Sequence, residues 1–223
     1  DGLIKHNGPV KNIIKYKSIF KNSVIYKKID FNAYSSLESQ VANISDDIAY
    51  NNHDLEDGLR ANLFTIKKLS KISFISKIIK KHLKNIKKFR REVIINQIVR
   101  DLINLMVTDV LKTTKKNLKK YKPRTLHDVH KLNHLIVDFS DKMKKTDNQI
   151  KDFLKVNMYN SRSVLSNTNK GKKIIKGLFN YLIKNPKKFI KRKNLNKDNK
   201  ERLIADFIAG MTDRYAINLY KKI

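Results

Sequence analysis

Helix-breaking residues are scarce in this chain. Its 223 residues include only three prolines, Pro9, Pro123 and Pro186, and six glycines. Proline removes a backbone donor and clashes with the preceding turn, and glycine loses conformational entropy when a helix fixes it. With few of either, long helices are permitted. Apolar residues recur every three or four positions, and strand-like alternation is weak. The expected fold is all-α.

The strongest helix start is Ser35-Ser36-Leu37-Glu38, which fits a capping box with Ser35 as the cap and Glu38 reaching back. The helix is predicted to run to about Gly58, with Val41, Ile44, Ile48, Leu55 and Leu59 as its buried stripe. Residues 1–34 read as a short helix-and-loop lead-in, and residues 61–88 as apolar-basic segments such as Ile72-Ser73-Phe74-Ile75. A long helix is expected over about 89–120. Its apolar face would be Ile94, Ile95, Ile98, Leu102, Leu105, Met106, Val110 and Leu111, with Pro123 closing the region. Residues 124–144 read as loop. Helices follow at about 146–160, 168–184 and 198–209. Asn185-Pro186 separates the last two, Gly210 ends the third, and Thr212 caps a final helix through Tyr220.

The formal net charge is +30, yet 40% of the residues are hydrophobic and 31% charged. That is too apolar for a disordered chain, so the charge belongs on the outside of a folded body. A basic surface attracts nucleic acid or another polyphosphate. The charge is carried mostly by Lys, alongside many Asn and Ile, a set that rises together in AT-rich coding sequence, while Arg is sparse. There is no cysteine, which excludes disulfides, thiolate metal sites and cysteine nucleophiles and suits a cytoplasmic location. No apolar run approaches the roughly 20 residues that cross a bilayer, so no membrane partner is expected. The chain opens at Asp1 without an initiator Met or a signal-peptide shape, and reads as a cut inside a longer protein.

The densest acidic stretch of this basic chain runs from Asp46 to Asp57. Asp46, Tyr50 and Asp54 stand at i, i+4 and i+8, along one face of a helix. On such a face one carboxylate can bind a hard or borderline cation, a ring can pack against a sugar, and a second carboxylate can accept from a sugar hydroxyl. Spacing alone leaves a second reading open, a solvated acidic face in a basic protein.

The whole segment from Ser36 to Leu59, with Asp46-Asp47-Ile48-Ala49-Tyr50 at its centre, resembles the bacterial dGTP triphosphohydrolase-like family of the HD superfamily. Gly2-Leu3-Ile4-Lys5-His6-Asn7-Gly8-Pro9 resembles the stretch that precedes this helix in the family. Phe153-Leu154 with Asn157-Met158-Tyr159 resembles a later motif, and Ile208-Ala209-Gly210-Met211-Thr212-Asp213-Arg214-Tyr215-Ala216 the C-terminal one. The motifs occur in the family's order across nearly the whole chain.

The resemblance implies an HD-type helical bundle, present in part over residues 1–60, followed by a C-terminal helical region over 61–223. It implies hydrolysis of a deoxynucleoside triphosphate to deoxynucleoside and inorganic triphosphate, with Mg²⁺ or Mn²⁺ as cofactor and a homo-oligomeric assembly. Asp46 matches the metal-binding Asp. Tyr50 matches a tyrosine beside the deoxyribose, and Asp54 an acid that contacts the 3′-hydroxyl. The family's His and His-Asp ligands and its catalytic His-rich stretch match nothing here, so no catalytic residue is assigned. His127-Asp128 lies after Asp46, where the family's pair comes before it. That region, with His130 and His134, reads as a His-rich surface loop. His6 and His53 are supporting candidates beside the site. Arg214 and Tyr215 are expected to fix the final helix against the body. The competing reading is a basic helical module that binds nucleic acid, single-stranded included, without catalysis.

Overall fold

The computed structural model describes residues 2–6, 8–11, 29–83, 89–186 and 200–223. Among them every regular element is a helix, as an all-α fold requires. Part of the expected lead-in, residues 12–28, lies outside the described residues, as do 84–88 of the apolar-basic region. The chain forms two compact units, Asp1–Met158 and Tyr159–Ile223.

The first unit is organised by α1 (Leu37–Arg60). Two short helices follow, α2 (Ile66–Leu69) and α3 (Ser73–Leu83), then the long α4 (Arg91–Tyr121), the single-turn α5 (Leu126–His130) and α6 (Asp141–Leu154). Helix α1 packs on α4 and on α6, and α3 packs on α4. The core joins Ile48, Leu55 and Leu59 of α1 to Ile94, Ile95, Ile98, Leu102, Met106 and Val110 of α4. Each fully buried aliphatic side chain stabilises the fold by roughly 1.5–3 kcal/mol.

Several sequence expectations shift by a residue or a face. The N-cap of α1 is Ser36, whose side chain accepts from the Ser39 amide, and not Ser35. Ser35 is buried, and its carbonyl accepts from Gln40 Nε2 at 2.8 Å. Val41 is half exposed and Ile44 only partly covered. Gln40 and Asn51 occupy the inward positions instead. Their neighbours are polar: Gln40 Oε1 accepts from the amides of Ile136 and Val137, and Asn51 Nδ2 donates to Asp147. On α4 the buried line steps by four through Ile98, Leu102, Met106 and Val110. Leu105 and Leu111 fall to either side of that ridge and are exposed.

Residues 124–144 contain more order than expected. Thr125 and Asp128 form a capping box that starts α5. Ser140 caps α6, accepting from the Met143 amide while it donates to Asp109, so α6 begins before residue 146. A π-helical turn, Lys155–Tyr159, follows α6. At the end of α4, Lys122 adopts a left-handed conformation (φ 46°) directly before Pro123.

The second unit holds α7 (Arg162–Lys184), α8 (Lys200–Ala209) and α9 (Asp213–Tyr220). Both shorter helices pack on α7. Thr212 caps α9 by accepting from the Tyr215 amide, as its position in the sequence indicates. Gly177 is required where the Tyr220 ring lies against α7, because a Cβ there would collide with the ring. Arg214 and Tyr215 do not anchor α9, since both are exposed.

Candidate functional site

Helix α1 has two faces of opposite character. One is sealed against α4 and α6. The other carries Asp46, Tyr50 and Asp54. The Asp46 side chain is 70% exposed and Tyr50 59% exposed, while Asp54 is partly covered. His53 is exposed. An open polar face on a helix anchored by its other side is positioned precisely enough to serve a ligand.

His6 comes from the turn before residue 8 and reaches this face. Its Nδ1 lies 2.7 Å from Asn43 Oδ1, and its Nε2 lies 3.7 Å from Asp46 Oδ2. The structure therefore places the sequence candidates His6 and Asp46 side by side although they are 40 positions apart. Beside them opens a cavity of about 730 Å³. His6, Asn43, Asp47, Lys5, Lys144 and Lys151 are among its walls. That volume is in the range of small-molecule sites.

The cavity wall carries charges that sequence reasoning passed over. Lys5 is wholly buried, and burial pushes its pKa down against the attraction of Asp30. Lys151 sits between two carboxylates, 2.8 Å from Asp147 and 3.1 Å from Asp47. Partial burial works to lower its pKa, but hydrogen bonds and attraction from Asp147 and Asp47 prevail and raise it. Asp147 is also held by Asn51 Nδ2. Asp47 is thus committed to Lys151, and Asp46 points to the open side. The Asp147/Lys151 pair at i, i+4 was visible in the sequence, but its partner Asp47 on another helix was not.

The His-rich region behaves differently from a surface loop. His127 is exposed, but His130 and His134 are partly buried, and the His134 ring packs on Tyr121 with centroids 4.4 Å apart. Burial lowers the His130 pKa, helped by nearby Lys5. Asp128 accepts from the backbone amides of Arg124 and Thr125, which holds its carboxyl below the usual range. That carboxylate serves the cap of α5.

Among the described residues, no three His, Cys, Asp or Glu side chains gather as a metal site. Asp46 with His6 is a pair of donors. Its oxygen and nitrogen chemistry fits part of a divalent-ion shell, and the described residues do not complete it. No helix among the described residues is long and apolar enough to cross a membrane.

Comparison with known proteins gives the class first. Residues 137–222 match the phosphohydrolase-associated domain, which places this helical chain among phosphohydrolase-related proteins. More particularly, the whole chain aligns with proteins named deoxyguanosinetriphosphate triphosphohydrolase-like protein. The one from Pelagibacter ubique (strain HTCC1062) is 49% identical over 224 residues, covering 100% of this chain and 60% of its own length. That from Bartonella henselae is 37% identical over 235 residues and that from Rickettsia typhi 36% over 231, again across all of this chain. The chain belongs to this deoxyguanosinetriphosphate triphosphohydrolase-like family. It spans about three-fifths of the length of these curated relatives.

Proposed function

We propose that this chain forms part of the active site of an enzyme that hydrolyses a deoxynucleoside triphosphate to a deoxynucleoside and inorganic triphosphate. The observation that carries the reading is the open face of α1. Asp46 and Tyr50 project from a helix whose other side is core, next to a lysine-lined cavity. The relatives' name supplies the reaction class.

In this reading Asp46 is one ligand of a divalent ion, Mg²⁺ or Mn²⁺. When bound, such an ion neutralises phosphate oxygens and activates water. Tyr50 lies along the deoxyribose, where its ring leaves little room for a 2′-hydroxyl. Asp54 accepts a hydrogen bond from the 3′-hydroxyl and fixes the sugar end. Lys5 and Lys151 lend positive charge to the cavity side, where phosphate charge must be balanced. Residues 1–60 act as part of the HD core and 61–223 as the helical region that supports it. A homo-oligomeric assembly and a cytoplasmic location belong to the same proposal. Single-stranded nucleic acid is a second ligand that the +30 charge could attract.

The test begins with the reading frame. An in-frame His followed by a His-Asp pair upstream of the codon for Asp1 is expected. The 223-residue chain by itself, incubated with dGTP and Mn²⁺, is expected to release no triphosphate. Measurable release would show that the site is built from other residues than these.

A further inference from the structure

The contact between His6 and Asp46 poses a chemical question. Asn43 Oδ1 faces the ring nitrogen Nδ1 at 2.7 Å, and an amide oxygen is an acceptor only. With the amide so oriented, Nδ1 carries the ring proton. The neutral ring then turns an unprotonated Nε2 toward Asp46 Oδ2, 3.7 Å away. Two acceptors directed at each other need something positive between them. Their separation is too long for a good hydrogen bond. It is right for two ligands of one ion: metal–ligand distances of about 2.1–2.2 Å give a ligand–ion–ligand angle of roughly 115–125°. Both side chains are open enough to admit an ion and its remaining ligands, with His6 44% and Asp46 70% exposed.

We infer that His6 Nε2 is a direct metal ligand beside Asp46, and that the resulting nitrogen–oxygen donor pair selects a transition-series divalent ion such as Mn²⁺ over Mg²⁺. The inference rests on the proposed metal role of Asp46 and adds a ligand and a metal preference to it. Mg²⁺ dehydrates reluctantly and prefers oxygen, whereas first-row transition ions accept imidazole. Asn43 serves as a positioning residue that fixes the tautomer, the task that partners of metal-bound histidines commonly perform.

The experiment titrates Mn²⁺ alone into the 223-residue chain. Free ion is followed by electron paramagnetic resonance, and the bound ion by spin-echo modulation, which detects a coordinated imidazole nitrogen. One bound ion with nitrogen modulation is expected, resistant to roughly a hundredfold excess of Mg²⁺. His6→Gln should remove the modulation, weaken Mn²⁺ binding about tenfold or more, and let Mg²⁺ compete, with the circular dichroism of the chain unchanged. Asn43→Ala should weaken binding less and leave the modulation in place. If Asp46→Asn loses the ion while His6→Gln keeps both ion and modulation, His6 is not a ligand, and the metal role of Asp46 stands without it. If neither variant alters Mn²⁺ binding, both readings fall. A wild-type chain that binds no Mn²⁺ at millimolar concentration overturns the inference.

Discussion

Residues 1–158 and 159–223 are built by different means. In the first unit apolar packing is reinforced by buried polar clamps. Gln40 ties α1 to the backbone at Ile136 and Val137, and Asn51, Asp147 and Lys151 tie α1 to α6. In the second unit, the buried apolar side chains among the described residues are Leu178, Leu182 and Ile204, while Leu165, Ile175, Tyr215 and Ile217 stay exposed. Polar clamps demand one register, because a shifted helix would leave buried groups without partners. The unit that must hold Asp46 and Tyr50 at fixed positions is the clamped one. The difference teaches that α1 is fixed by orientation as well as by burial.

The largest expected effect would come from the clamped unit's apolar core. Leu59→Ala, at a wholly buried position, should cost about 2–5 kcal/mol in urea unfolding. If it costs no more than an exposed Leu111→Ala, the α1–α4 core does not carry the unit. Next is Gln40→Leu, which keeps bulk but leaves two buried amides without an acceptor. The expected loss is about 1–3 kcal/mol for each amide left unpaired. Faster hydrogen exchange should be confined first to the Ile136 and Val137 amides. A neutral result would dissolve the contrast between the units. In the second unit, Thr212→Ala should cost about 1 kcal/mol through the lost α9 cap, seen as faster exchange at Tyr215.

The smallest effect is a pH dependence in the first unit. Hydrogen bonds from Lys81 and His82 hold the Asp101 carboxyl below its ordinary range. Its pKa is lower folded than unfolded, so the stability it contributes is present above the unfolded value. It is lost as pH falls through the folded one. Urea midpoints should therefore decline below about pH 4 in the wild type, and less steeply in Asp101→Asn. Equal slopes would remove Asp101 from the account.

Much of this was legible in the sequence where the cause is local. Thr212 ahead of α9 and Asn185-Pro186 after α7 mark ends that backbone chemistry dictates at those residues. The α1 cap was missed by one residue because Ser35 and Ser36 are both capable caps. Burial of Ser35 beside Gln40 decides between them. Periodicity also counted Val41 inward and passed over Gln40 and Asn51. It weighs apolar side chains, and the surface that α1 meets there is polar. On the candidate site, spacing aligned Asp46, Tyr50 and Asp54, and resemblance gave them roles. The approach of His6 to Asp46, and of Lys151 to Asp47, depends on tertiary contacts that no local pattern encodes.

The central claim is that the open face of α1 belongs to a deoxynucleoside triphosphate triphosphohydrolase site. The most direct measurement is release of inorganic triphosphate from each of the four common deoxynucleoside triphosphates. It would use the complete polypeptide of the reading frame that contains these residues, in the presence of Mn²⁺. The account predicts triphosphate and deoxynucleoside in equal amounts, and loss of at least about a thousandfold in rate with Asp46→Ala. Full activity in Asp46→Ala, or no triphosphate from any of the four, would contradict it.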